Sequence, residues 1–386
     1  MKSKFTKSTF FLWGLIWLFM SCKVFSDTTV PFNLIDNRVF VDVKLNEKGP
    51  YKFILDTGGS YVINSELTRE LGVLPEKWFE IGGAGENQVP AFLAKMNLFS
   101  LGDISILNNT FIGLPTREIK DAIGFESFDG IFGSEFLYDY VVVIDFEEQQ
   151  LTLVYAKDFH YSGDGAILPI TFLQHPSVTV NIDGITAQVW VDTGDRSTLT
   201  LFESFVNKNK LLEKYKPKFE AITGWGVGGP IRAQIGEVGS VQLGKNRIND
   251  VAVRFPNEEV FSSRQVDGSI GTGLLRAFKV FIDYPRRRFI LERNRIPPQS
   301  YDRSGMFFIW QNSYPKIIDV VEGGPAWEAG LRSGDIILSV GGLSFEHISL
   351  PELRERLSNP ETVSVKIEYF RQGKVQNSQV NLRKLI

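Results

Sequence analysis

The chain has 386 residues, 43% of them hydrophobic and 23% charged, which is enough apolar content for two or three cored domains. A net charge of −3 leaves no basic field for nucleic acid and no polyacidic tail. Its single cysteine, Cys22, rules out internal disulfides.

Residues 1–26 read as a leader, with Lys2, Lys4 and Lys7 ahead of an apolar run at 10–20 that is too short to span a bilayer comfortably. Two processing sites stay open. Val24-Phe25-Ser26 offers suitable residues before a mature start at Asp27. Leu18-Phe19-Met20-Ser21-Cys22 resembles a lipobox, departing from it at Phe19 and Met20, and implies membrane attachment through lipid on Cys22. Either route predicts an extracytoplasmic protein of the periplasm or cell envelope.

Residues 39–45 alternate in polarity, and a Gly-Pro turn at 49–50 leads into residues 51–55, predicting a hairpin that delivers Asp56 at a strand end. A short helix closed by Gly72 is expected over 65–72. In the second half, residues 177–182 and 187–191 predict the strands before Asp192, and 202–219 a lysine-rich helical insert. Consecutive prolines open a linker at 297–302.

The two halves repeat. Leu55-Asp56-Thr57-Gly58-Gly59-Ser60 is echoed by Val191-Asp192-Thr193-Gly194-Asp195-Arg196. An Asp-Gly marker follows each aspartate, after 73 residues in the first half (56 to 129) and 75 in the second (192 to 267). Leu101-Gly102 is matched by Leu243-Gly244, and Val143-Ile144-Asp145-Phe146 by Phe281-Ile282-Asp283-Tyr284. Matched landmarks in one order indicate a duplicated fold unit. Two carboxylates from symmetric positions about 3 Å apart cannot both ionise, so they share one proton and supply both a base for water and an acid for a carbonyl.

Over nearly all of residues 30–296 the chain resembles the pepsin and retropepsin families of aspartic peptidases. The resemblance implies Asp56 and Asp192 as the catalytic dyad, Thr57 and Thr193 as a bracing pair between lobes, and Gly58 and Gly194 as close-approach positions. Ile131-Phe132-Gly133 and Ser269-Ile270-Gly271 resemble the segments packed beside each active loop, giving Gly133 and Gly271 a supporting role. Two departures stand out: Gly59 and Asp195 where Ala, Ser or Thr is usual, and no flap tyrosine. Asp195 either adds a third carboxylate to the dyad or points outward to pair with Arg196. Glycine-rich stretches at 82–85 and 224–229 occupy the flap positions, with Gly83, Gly85, Trp225 and Gly226 as substrate-binding candidates; plain hairpin turns are the alternative.

Residues 315–342, with the Gly323-Gly324-Pro325-Ala326 and Ser333-Gly334-Asp335-Ile336 signatures, resemble a PDZ domain. Residues 350–357 would then be its groove helix, although the ligand loop at 305–309 lacks the expected glycine between apolar residues. Such a module would bind a C-terminal or internal peptide, or act as a lid. The expected fold is mainly β: two homologous retropepsin/pepsin-like β-barrel lobes, 28–160 and 161–296, around a central cleft, followed by a small α+β PDZ domain at 303–386. An aspartic endopeptidase acting on extended polypeptides is the leading expectation; a catalytically inactive envelope peptide-binding protein is the rival. Hydrogen-bonded carboxyls separate the first from the second, which predicts splayed carboxyls or an intruding Arg196. No metal or cofactor is expected, since His160, His175 and His347 are scattered and read as surface or loop residues.

Overall fold

A computed structural model describes residues 23–24, 27–173, 175–256 and 265–386. Both expected processing sites, at Cys22 and after Ser26, lie outside the described residues. The protein is mainly β.

In the first lobe, alternating apolar residues Val39, Val41, Val43 and Leu45 bury one face of strand Arg38–Leu45. That strand forms an antiparallel meander with Thr28–Ile35 and Lys48–Leu55. Lys48–Leu55 then pairs in parallel with Gly130–Phe132, which pairs antiparallel with Val62–Asn64. A later strand is thus inserted between two that are consecutive in sequence, so the chain leaving Leu55 must loop away from the sheet. The second lobe repeats this: Ile185–Asp192 runs parallel to Gly268–Gly271, which lies antiparallel to Leu199–Leu201.

The Asp-Gly markers have a structural cause. Asp129 Oδ2 accepts from the Lys52 amide at 2.9 Å, and Asp267 Oδ2 accepts from the Gln188 amide at 2.7 Å. Each carboxylate therefore registers the inserted strand. Any Cβ at Gly130 or Gly268 would lie 2.4 Å from Val62 O or 2.2 Å from Thr200 O.

The lobes join through strands Tyr140–Asp145 and Phe278–Asp283, paired antiparallel with Val141 opposite Asp283, Val143 opposite Phe281 and Asp145 opposite Lys279. Because Asp145 and Asp283 are equivalent in the repeat, this register is symmetric about the Val143–Phe281 pair. One hydrophobic core runs through both lobes. The lysine-rich insert forms two short helices, Glu203–Lys208 and Leu211–Tyr215, divided where Lys210 turns to φ +51°.

The C-terminal domain has its own core and sheet. Met306–Gln311 is its edge strand, bonded on one side to Tyr314–Val320. Its helix Leu350–Ser358 starts at a capping box in which Ser349 and Glu352 satisfy each other's backbone amides. Residues 297–302 are packed rather than extended into solvent: the Gln299 amide donates to Gly273 O at 2.7 Å, and the Tyr301 ring lies 6.0 Å from that of Phe219.

Candidate active site

Both Asp-Thr-Gly segments leave their strands where the inserted strand forces a loop, and the two loops meet at the centre of the molecule. Thr57 and Thr193 are fully buried. The Thr57 amide donates to Thr193 Oγ1 at 3.0 Å and the Thr193 amide to Thr57 Oγ1 at 3.1 Å. Each hydroxyl donates in turn to a carbonyl of the opposite lobe, Thr57 to Val191 O and Thr193 to Leu55 O, both at 2.7 Å. All four groups are satisfied in a buried site, which makes the relative placement of the loops rigid.

Glycine follows each threonine for a steric reason. A Cβ on Gly58 would lie 2.8 Å from Asp192 Cγ, and one on Gly194 would lie 2.4 Å from Asp56 Oδ2. Each loop therefore presses its bare backbone against the opposite carboxyl. Gly58 N donates to Asp56 Oδ1 at 2.9 Å and Gly194 N to Asp192 Oδ1 at 3.0 Å. With Gly58 bonded to Asp56 and pressed against Asp192, and Gly194 against Asp56, the two carboxyls adjoin. Gly133 and Gly271 back the loops: a Cβ there would fall 2.2 Å from Gly59 O and 2.4 Å from Ser197 O.

Burial pushes both carboxyls upward. Asp56 rises to about 6, with the Gly58 amide and the bond to Asp192 opposing the shift. Asp192 rises well above the ordinary carboxylate value through burial and then through the charges of Asp56 and Asp195. The pair titrates as a unit that shares one proton.

Asp195 corrects the expectation that it pairs with Arg196. Its carboxylate lies 2.7 Å from Arg254 Nη2, on strand Asn246–Pro256, and accepts from Ser197 Oγ at 2.8 Å. Burial would raise Asp195, but Arg254 and the Ser197 bonds outweigh it and hold the group below the usual value. Its amide donates to Asp192 Oδ1 at 3.1 Å. The asymmetry with Gly59 follows, because a side chain there would come within 2.5 Å of Asp56 Oδ2. Arg196 turns away to Asp36, 2.8 Å from its Oδ1.

Around the dyad lies a cleft of about 660 Å³. Ile54, Phe128 and Ile131 line its first-lobe side, and Trp190, Phe202 and Ser269 its second-lobe side. His175, expected at the surface, also lines it, edge-on to Trp190 with centroids 5.1 Å apart. Arg38 and Arg254 complete the wall. Of these, sequence reasoning places only Ile131 and Ser269 at the site, in the segments beside the active loops. No group of three metal-ligating side chains gathers among the described residues.

Two hairpins roof the cleft, one from each lobe: Trp78–Ile81 with Val89–Leu101, and Phe219–Gly226 with Gly229–Leu243. Their tips bond to each other. The Gly85 amide donates to Val227 O at 3.0 Å, and the amide and Nδ2 of Asn87 donate to Gly228 O at 2.9 and 3.1 Å. Gly83 and Gly226 sit at this junction, where Cβ atoms would meet Val227 Cβ at 2.7 Å and Ala84 Cβ at 2.8 Å. Trp225 lines the cleft beneath, and its buried indole N–H finds no acceptor among the described residues. Gly228 combines φ +96° with a Cβ position 1.9 Å from Asn87 O. Gly228→Ala is therefore expected to part the tips, raising KM for a peptide substrate about tenfold while kcat changes little. Steady-state kinetics check this, and an unchanged KM would contradict it.

Residues 41–136 match the family model described as aspartyl protease, and residues 316–369 that of the PDZ domain. No curated protein matches the chain. Among solved structures, the aspartic proteinase from Irpex lacteus is 13% identical; the match covers 70% of this chain and 98% of that one, with a TM-score of 0.45. The matched stretch lies in the first lobe, and the second lobe repeats its strand order, its Asp-Thr-Gly loop and its flap. The chain thus carries an aspartyl protease fold of two lobes and a C-terminal PDZ domain.

Proposed function

We propose that the protein is an aspartic endopeptidase that hydrolyses extended polypeptides. The observation that carries this reading is the buried, adjoining pair Asp56 and Asp192, held by the crossed threonines. With Asp192 protonated and Asp56 ionised, Asp56 takes a proton from water as its oxygen attacks the carbonyl carbon. Asp192 gives its proton to the carbonyl oxygen. Asp56 then passes the proton it took from water to the amide nitrogen, Asp192 takes one back from the diol, and the C–N bond breaks with both carboxyls restored. Apolar walls on both sides of the dyad favour apolar or aromatic residues flanking the cleaved bond. The adjoining carboxyls, and an Arg196 drawn off to Asp36, count against the rival reading of a peptide-binding protein without activity.

The Lys-flanked apolar leader supports an extracytoplasmic location, either freed at Ser26 or anchored by lipid on Cys22. For the PDZ domain the reading favours gating of the cleft over recruitment of substrate.

Incubating residues 27–386 with peptides from a denatured proteome, from acidic to neutral pH, tests the activity by mass spectrometry. Cleavage between apolar residues is expected, and its loss in Asp56→Asn and Asp192→Asn. A folded wild type inert at every pH, or cleavage surviving in both variants, overturns the proposal.

A further inference from the structure

A PDZ domain receives an extended peptide along the free edge of one strand, beneath its groove helix. Here that strand is Met306–Gln311 and that helix Leu350–Ser358. Part of that groove is bridged by the chain itself. Arg354, from the groove helix, donates to Phe308 O in the edge strand at 3.1 Å. The same guanidinium donates to Ala122 O and, at 3.2 Å, to Ile123 O, at the end of helix Arg117–Ile123 in the first lobe. Gly124, at φ +74°, closes that helix so tightly against the groove helix that a Cβ would lie 2.3 Å from Leu350 Cβ. Nearby, the amides of Ser304 and Gly305 donate to Asp302 Oδ1 at 2.9 and 2.7 Å. Backbone donors beside the edge strand, where a peptide's terminal carboxylate would seek partners, already hold a carboxylate of this chain.

Two lines run from Arg354 to the dyad. Helix Arg117–Ile123 places Ile119 and Ile123 in the wall of the substrate cleft. Arg354 also pairs with Asp36 Oδ1 at 3.1 Å, and Asp36 is almost completely buried. The same carboxylate pairs with Arg38 at 2.7 Å and Arg196 at 2.8 Å. Arg38 Nε donates to Gly194 O at 3.2 Å, and Asn37 Nδ2 donates to Arg196 O at 3.0 Å. The loop carrying Asp192 is thus fixed from outside its lobe by a cluster that the PDZ domain completes.

We propose that Arg354 is a positioning residue for the hydrolytic site: from the PDZ groove it clamps one wall of the substrate cleft and, through Asp36, the loop that carries Asp192. The clamp rests on the endopeptidase reading for its effect on rate, but not for its effect on the two segments it holds. A planar fork suits the task, because it serves two carbonyls of one helix end, a strand carbonyl and a carboxylate together; an ammonium group cannot span them.

The test compares residues 27–386 with Arg354→Ala, Arg354→Lys and a control, Arg383→Ala, which removes an ion pair to Glu328 elsewhere in the same domain. Amide hydrogen exchange is read at 117–124 and 191–196, with 140–145 as the internal reference. Arg354→Ala should exchange about tenfold faster at both segments, with the reference unchanged, and kcat for a peptide substrate should fall about tenfold with KM affected less. Arg354→Lys, which keeps the charge beside Asp36, should show a rise of about threefold and serves if the alanine variant does not fold. The control should match wild type. Unchanged exchange at either segment in a folded Arg354 variant, or equal acceleration in the control, overturns the clamp. If wild type cleaves nothing, the exchange readings still decide the clamp, so its failure and that of the endopeptidase reading remain distinct.

Discussion

Asp192→Asn should abolish hydrolysis and, at neutral pH, leave a protein more stable than wild type. The loss of rate follows from removing the group that holds the shared proton, a step worth on the order of 10³-fold. The gain in stability follows from the direction of the shifts. Asp192 and Asp56 both have raised values in the folded protein, so the folded state binds more protons than the unfolded chain above the ordinary carboxylate range. Stability tied to these groups is full below their unfolded values and is lost as pH rises through their folded ones. Asparagine cannot ionise and escapes the loss. For Asp56 the rise from 3.8 to about 6 corresponds to roughly 3 kcal/mol at neutral pH, and Asp192 shifts in the same direction. Denaturation at acid and neutral pH checks it: the variant's advantage should appear only at the higher pH. A variant less stable than wild type at neutral pH would contradict the assignment of burial as the dominant cause.

Asp195→Asn should move the whole pH profile of kcat/KM to lower pH and destabilise the fold. Its charge is one of the influences that keep protons on both members of the dyad. Without it each ionises more easily, so the rising and falling limbs both shift downward by on the order of one unit, equivalent to ~1.4 kcal/mol. The guanidinium groups of Arg38 and Arg254, which also face the site, add to that direction. The variant leaves Arg254, nearly buried, without its carboxylate at 2.7 Å, a change that costs about 3 kcal/mol. Limbs that stay in place in a folded variant would show that Asp195 acts on Arg254 alone.

The Asp-Thr-Gly and Asp-Gly landmarks were legible because backbone geometry dictates them. Gly58 and Gly194 face a carboxyl across the lobe boundary, and Asp129 and Asp267 each bond a particular strand amide. No local pattern carries Asp36, whose partners Arg196 and Arg354 are distant in sequence and meet it only in the folded protein. Sequence adjacency misled for Asp195 and Arg196, whose side chains leave their loop toward different partners, Arg254 and Asp36. The partner of Asp195 came instead from strand Asn246–Pro256. Trp190 and His175 were hidden for a different reason: alternation marks the apolar face of a strand but does not say whether that face meets core or cleft.

In the proposed endopeptidase, the bonded flap tips would make capture of substrate a sequence of two events. A polypeptide too long to enter from the ends reaches the dyad only after Gly85 and Asn87 release the carbonyls of Val227 and Gly228. At low substrate, collision sets the rate of binding; at high substrate, the rate at which the roof parts sets a ceiling that more substrate cannot lift. Folded proteins offer few segments able to wait out that interval in an extended form, whereas unfolded chains offer many. The roof would then select for the conformational state of a substrate before the cleft reads its side chains.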